Sequence, residues 1–235
     1  MSYERSGAWT VDYALRVLAT GCAVSRRPVP EVGALVLGPE SVLLRLTTPE
    51  EAPPPGWTVE DDGRAWRSSL AWVRGAEVDE RIPAPYPMLV SVGVIDSGRL
   101  LLNLVAAEGL VGVEGDPELA RNLVRAWARR LAASPWAAGI RVVRVGFPPD
   151  NDAAGWDVAR LAGTPVLDNP AGGVVFFADP PLGYDVHLVN QLLGDPARRW
   201  SVVAVGVPDP TWRFVVGVDG TVDTGLLAEP VHMRL

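Results

Sequence analysis

The feature that most constrains the fold is a strongly amphipathic helix pattern between two short apolar runs. Residues 116–133 follow the apolar run 110–113 and precede the run 141–147. Asp116 can cap the helix, and Pro117 suits its first position. Its apolar face consists of Leu119, Leu123, Trp127 and Leu131. The order strand–helix–strand is typical of an α/β layer.

The rest of the chain after residue 83 continues this order. Runs 174–178 and 202–207 are apolar throughout, as expected when both faces of a parallel sheet are covered. A helix pattern covers 184–194, and a short helix is expected near Trp156–Leu161 in the loop-rich stretch 148–172. We therefore expect a mainly parallel sheet with helices on both faces. Strand pairs are also expected at 88–95 with 100–104 and at 212–218 with 221–227.

The first third has a different pattern. Residues 9–26 show helical periodicity, and the runs 33–37 and 42–46 flank a Gly-Pro-Glu turn that predicts a hairpin. A turn at 60–63 separates two further short strands. Prolines at 83, 85 and 87 mark a boundary between a small α+β region, 1–82, and an α/β core, 83–235. The two can pack as one unit.

Composition excludes several kinds of chemistry. All 21 basic residues are arginines, so a Schiff-base lysine and a P-loop lysine are excluded. The net charge of −7 argues against a nucleic-acid partner, although Arg125, Arg129 and Arg130 form a local basic group. Cys22 is the only cysteine, which excludes an intramolecular disulfide, and its apolar setting predicts a buried packing role.

The stretch EGLVGVEGDPELARNLVRAWARRL resembles the nucleotide-binding core of the FtsK/EccC class of ATPases. In that class a strand leads into a Gly-rich loop that ends in Gly-Lys-Ser/Thr and opens a helix. An ungapped comparison puts Ala120 at the lysine position and Arg121 at the Ser/Thr position, while Glu114 and Pro117 fall on glycine positions. The resemblance implies a degenerate, P-loop NTPase-like fold and a vestigial loop that retains Gly112, Gly115, Asp116, Ala120 and Arg121.

A second motif extends this resemblance. GGVVFFADP resembles a Walker B strand with Asp179 at the metal-binding position, and SVVAVGV resembles the sensor strand that follows it. Pro180 replaces the usual second acidic residue. We therefore expect no cofactor and no metal at this vestigial site, because phosphate binding needs free backbone N–H groups and a cation.

Nearly the whole chain also resembles a region of large actinobacterial proteins that combine LysM segments with a bacterial transcriptional activator domain. The shared features are YALRVLATGC, PPPGW…DDGRAW, APYPMLVSVG, GDPELARNLVRAWARRLAASPWA and WRFVVGVDGT. The resemblance implies an ATPase-like module in a cell-envelope, secretion or regulatory assembly. Neither LysM segments nor an activator domain occur in this chain.

Other candidate residues are few. The only histidines are His187 and His232, and His187 lies in a helix pattern two residues after Asp185, which places it on another face. Tryptophans at 57, 66 and 72 are expected to form a small core, with a partner-binding patch as the alternative.

Three functions remain open at this stage. The first is a non-catalytic scaffold that binds a protein partner or itself. The second is a nucleotide-binding sensor without hydrolysis, and the third is an unrelated hydrolase that uses His187. The first residues have no apolar signal core and no run is long enough to span a membrane, so a cytoplasmic location is expected.

Overall fold

The computed structural model describes residues 2–149, 154–225, 227 and 231–233. Within them lie four α-helices: α1 (Ser2–Val24), α2 (Leu70–Gly75), α3 (Pro117–Ala132) and α4 (Tyr184–Leu193). The first seven strands are β1 (Val32–Leu37), β2 (Ser41–Leu46), β3 (Thr58–Glu60), β4 (Ala65–Ser69), β5 (Leu89–Ile95), β6 (Gly98–Asn103) and β7 (Leu110–Gly115). The others are β8 (Arg141–Val145), β9 (Trp156–Val158), β10 (Gly173–Phe177), β11 (Trp200–Val205), β12 (Trp212–Val216), β13 (Thr221–Asp223) and β14 (Val231–His232).

All described strands join one sheet, in the order β3-β4-β2-β1-β6-β5-β14-β13-β12-β7-β11-β10-β8-β9. Eight neighbouring pairs in this described sheet are antiparallel. Five pairs are parallel, and all of them fall between β12 and β9 at one end. The sheet is therefore mixed and mostly antiparallel.

The predicted fold class is wrong. We expected a mainly parallel, P-loop NTPase-like sheet with helices on both faces, but antiparallel pairs outnumber parallel ones in a sheet of 14 strands. Two long-range antiparallel pairings join the first third and the hairpins to the parallel strands: β6 pairs with β1 of the first third, and β14 pairs with β5. An apolar run does not reveal its pairing partner, because a buried strand has the same apolar pattern whether its neighbours are parallel or antiparallel.

Most individual elements match the prediction. The β1–β2 hairpin, α3, α4 and the β12–β13 hairpin lie where the pattern placed them. Helix α1 is longer at its start than the expected 9–26, and it ends before Arg26, which has a positive φ of 54°. The short helix expected near Trp156–Leu161 is wrong, because residues 156–158 form β9 at the edge of the sheet.

The core has two parts. The larger cluster lies beneath α1 and α3 and extends through both the antiparallel and the parallel strands. The smaller cluster lies on the opposite face of β8, β10 and β11, where α4 covers it. The side chains of β10 alternate between the two clusters: Val174 and Phe176 belong to the larger one, and Val175 and Phe177 to the smaller one.

Helix α3 connects the two regions on either side of residue 83. It packs on β5 as well as on β7, β8 and β11. Trp127 meets Phe214 of β12 edge-to-face, with ring centroids 5.6 Å apart. After the helix, Trp136 Nε1 donates a hydrogen bond to the Leu89 carbonyl at 2.9 Å. The described strands of regions 1–82 and 83–235 thus share one sheet, and both regions contribute to the larger core cluster. The division into these two regions stays a prediction.

The tryptophans of the first third are mainly core residues. Trp57 and Trp66 are buried, and Trp66 Nε1 donates to the Glu50 carbonyl at 2.7 Å. Trp72 remains 38% exposed on α2. The expected small core is therefore confirmed for two of the three tryptophans.

Candidate functional site

Two glycines of β7, one within the strand and one at its end before α3, lie against neighbouring chain segments. Gly115 has a φ of +108°, and a Cβ there would overlap the Val216 carbonyl of β12. At Gly112 a Cβ would come within 2.6 Å of the Pro210 side chain. Both positions therefore need glycine for packing within the protein.

Asp116 caps α3, as the sequence predicted. Its Oδ1 accepts hydrogen bonds from the backbone N–H groups of Glu118 at 3.0 Å and Leu119 at 2.9 Å. The carboxylate also places negative charge at the positive end of the helix dipole. Two of the N–H groups that a phosphate could use are thus already satisfied.

Ala120, at the lysine position of the resemblance, is fully buried on the core face of α3. A lysine in this orientation would enter the hydrophobic core. The position that the ungapped comparison assigns to the lysine therefore faces the core and not the loop.

Arg121 and Asp179 form an ion pair across the loop. Arg121 Nη2 lies 2.5 Å from Asp179 Oδ1, and its Nε donates to the Ala178 carbonyl at 3.2 Å. Both side chains are substantially exposed, at 46% and 62%. The sequence placed these residues at the two metal-binding positions of the resemblance, but it did not predict that they would neutralise each other. Their opposite charges were the one signal that could have suggested it.

Glu114 has its own partner on β12. Its Oε1 lies 3.2 Å from Arg213 Nη1. Together with Asp116 and Glu118 it makes the loop acidic, which opposes the approach of a phosphate. We use the name β7–α3 loop for residues 114–121 together with their ion-pair partners Asp179 and Arg213.

A cleft of about 360 Å³ lies beside Asp179, at the carboxyl ends of β8 and β10. Arg160, Tyr184 and the residues before α4 line it. Asp185 also lines it, but its buried carboxylate accepts hydrogen bonds from the N–H groups of Leu161 at 3.3 Å and Ala162 at 2.8 Å. Sequence reasoning missed this cleft, because its walls come from three separate segments.

Neither histidine has the geometry of a catalytic triad. His187 is exposed on α4, and its ring lies 5.7 Å from the ring of Tyr184. His232 is exposed on β14. In the described part of the chain, neither side chain is hydrogen-bonded to a serine hydroxyl or a carboxylate. The geometry around His187 therefore gives no support to the hypothesis of a hydrolase that uses this residue.

Cys22 is buried on α1, as predicted, and burial raises the pKa of its thiol while Arg27 lowers it. Among the residues whose placement is described, no group of three or more His, Cys, Asp and Glu side chains could hold a metal ion. In the same residues, the helices are all too short or too polar to cross a bilayer.

No protein-family model matches the sequence, and no curated protein or solved structure matches it either. These findings neither support nor contradict a likeness to the FtsK/EccC class or to the actinobacterial LysM proteins.

Proposed function

We propose that this chain is a non-catalytic scaffold, a protein-interaction module in which the β7–α3 loop is a degenerate phosphate-binding loop. The observation that carries the proposal is the Arg121–Asp179 ion pair beside the cap of Asp116. By the resemblance, the module would belong to a cell-envelope, secretion or regulatory assembly.

The physical argument concerns what a triphosphate needs. A phosphate-binding loop offers free backbone N–H groups, a lysine and a site for a divalent cation. Here Asp116 accepts the N–H groups, Ala120 is buried, and the guanidinium of Arg121 lies against the carboxylate that would hold the cation. The lysine is absent, and the N–H groups and the carboxylate are already engaged by Asp116 and Arg121, so a nucleotide would have to displace these two side chains.

Isothermal titration calorimetry with ATP and ADP, each with and without Mg²⁺, tests this part of the proposal. We expect no binding heat for the natural chain up to millimolar nucleotide. Saturable binding that is lost in Arg121→Ala would contradict the proposal, because it would place the phosphates on that arginine.

A nucleotide-binding sensor without hydrolysis is the second candidate, and the cleft beside Asp179 favours it. A volume of about 360 Å³ lies within the range of small-molecule sites. The sensor predicts binding that survives Arg121→Ala but is lost when the cleft is filled, for example by Ala162→Trp. The same calorimetric series therefore separates the two candidates.

Exposed apolar side chains before and within α4 support the protein-interaction part. Leu182 is 79% exposed and Tyr184 is 64% exposed, and both lie at the mouth of the same cleft. Exposed apolar groups that lie close together are typical of contact surfaces. We expect the natural chain to co-purify with a stable partner or to self-associate, and Leu182→Ser with Tyr184→Ser to reduce this.

The matched control is Val218→Ser, since Val218 is 86% exposed but lies in the β12–β13 turn. The natural chain would not be a scaffold if purification from its native cells recovered only the free monomer, as measured by light scattering. An equal effect of Val218→Ser would exclude Leu182 and Tyr184 as the contact.

A further inference from the structure

A second cleft, of about 300 Å³, lies between α1, the β1–β2 turn, α2 and the β5–β6 hairpin. Its apolar lining consists of Leu37, Pro39, Leu70 and Val94. Gly7 and Thr10 of α1 form one wall. The cleft shares no residue with the β7–α3 loop.

The charge of this cleft differs from that of the whole molecule. Arg74 and Arg99 line it, and no Asp or Glu is found among the lining residues whose side chains the structure describes. The protein nevertheless carries a net charge of −7. Two cationic groups, with no carboxylate among the described lining, make this cleft a local positive site on an acidic protein.

In the part of the chain that the structure describes, the two arginines also lack partners, unlike several arginines elsewhere. Arg67, Arg121 and Arg144 each pair with a carboxylate. Within the described residues, neither Arg74 nor Arg99 forms an ion pair or a side-chain hydrogen bond. Because like charges that share one cleft repel each other, a bound anion would stabilise this arrangement.

Arg99 is half-buried, and its guanidinium lies close to α1 at Gly7. A Cβ on Gly7 would be 3.6 Å from Arg99 Nη1 and 3.9 Å from Leu37 Cδ2. Glycine within a helix lowers its stability relative to alanine. A larger side chain at Gly7 would extend over the guanidinium and fill the cleft.

We propose that this cleft binds a small organic anion, with its carboxylate or phosphate between Arg74 and Arg99 and its apolar part against Leu70 and Val94. A guanidinium offers a planar pair of N–H donors that matches the oxygens of either group. The volume suits a molecule the size of a substituted benzene ring. The apolar lining distinguishes this ligand from an inorganic ion.

The test uses phenyl phosphate and benzoate as anionic probes and benzyl alcohol as the neutral probe, each titrated into the full chain and followed by ¹H–¹⁵N NMR. We expect one or both anions to bind and to shift the amide signals of Arg74 and Arg99, with no response to benzyl alcohol. The anion that binds more tightly identifies the acidic group. Arg99→Gln and Arg74→Gln should each weaken binding roughly tenfold, as expected for loss of a charge-assisted hydrogen bond.

Three controls make the outcome decisive. Arg64→Gln removes one charge from an exposed arginine outside the cleft and should leave binding unchanged. Gly7→Leu should abolish binding, and the arginine variants still decide the matter if that variant fails to fold. Arg121→Gln should have no effect, so a loss there would move the probe to the β7–α3 loop.

The proposal is overturned if neither anion binds below about 10 mM, an affinity weaker than that of ordinary small-ligand sites. It is also overturned if Arg64→Gln weakens binding as much as Arg99→Gln does. Neither result bears on nucleotide binding at the β7–α3 loop.

Discussion

At the scale of single residues, the start of α3 depends on the side chain of Asp116. Its Oδ1 accepts from two N–H groups, and the helix that follows contributes Leu123, Trp127 and Leu131 to the core. Loss of a capping side chain costs about 1 kcal/mol. We expect Asp116→Ala to lower the free energy of unfolding by this amount in urea titrations.

Asp116→Asn separates the cap from its charge. Asparagine keeps an oxygen acceptor at the same place, so its stability should lie close to that of the natural chain. If asparagine costs as much as alanine, the carboxylate charge rather than the cap stabilises α3.

Asp79, in the segment between α2 and β5, makes a pH-dependent contribution to the stability of the folded state. The hydrogen bond from the Arg81 side chain, with another from the Arg81 backbone N–H, lowers the pKa of Asp79 from 3.8 to about 2. A carboxyl whose pKa is lower in the folded state stabilises it above the unfolded pKa. This contribution should therefore be lost as the pH falls from about 4 to about 2.

Arg81→Gln should raise the pKa of Asp79 towards 3.8, because the first of those hydrogen bonds is removed. The ¹³C chemical shift of the Asp79 carboxyl, titrated by NMR, measures this directly. Arg74→Gln, on the neighbouring helix α2, is the control and should leave the titration unchanged. An unshifted pKa in Arg81→Gln would refute the assignment.

The same residue scale shows what the sequence could predict of the candidate site. The cap of Asp116 follows from local rules, since its partners are two and three residues away. The pairing of Arg121 with Asp179 joins positions 58 residues apart. No periodicity reports such a contact, and it appears only when β7 and β10 are placed in one sheet.

At the scale of elements, local patterns predicted those that carry their own signals. The β1–β2 and β12–β13 hairpins have turn residues, and α3 has a cap and a periodic apolar face. Strand β9 has only three residues, and its state depends on a distant side chain. Arg144, 13 residues earlier, donates from Nε and Nη2 to both carboxylate oxygens of Asp157 at 2.6 and 3.0 Å.

The Arg144–Asp157 pair should therefore hold β9 on the sheet. Arg144 is 1% exposed, so removal of its carboxylate partner leaves a buried charge uncompensated. We expect Asp157→Ala to lower the free energy of unfolding by roughly 3 kcal/mol, the lower end for a broken buried pair because Asp157 is 21% exposed. Hydrogen exchange should accelerate in residues 156–158.

The opposite edge of the sheet offers a matched control. There Arg67 also binds a carboxylate with two nitrogens, that of Glu60 on β3, at 2.6 and 3.0 Å. This pair is 42% and 36% exposed, so Glu60→Ala should cost at most about 1 kcal/mol. Equal costs at the two edges would show that burial does not set the strength of the pair.

At the scale of the whole molecule, the sequence was least informative. The apolar runs were recognised as strands, but their pairing partners lie far away in the chain: β6 joins β1 with Leu101 opposite Leu35, and β14 joins β5. The proline cluster at 83–87 marked a change of pattern along the chain, yet the sheet continues across it.

This continuity predicts that the region 83–235 does not fold without residues 1–82. A fragment that starts at residue 83 would expose the edge of β6 that pairs with β1, and it would lose the cover of α1 over the core. Unpaired edges and uncovered apolar faces favour aggregation over folding. We expect the fragment to lack dispersed NMR signals, and the full chain to unfold in urea in one transition by circular dichroism and tryptophan fluorescence. A soluble fragment with its own cooperative transition would instead make 83–235 an independent domain, with residues 1–82 added to its edge.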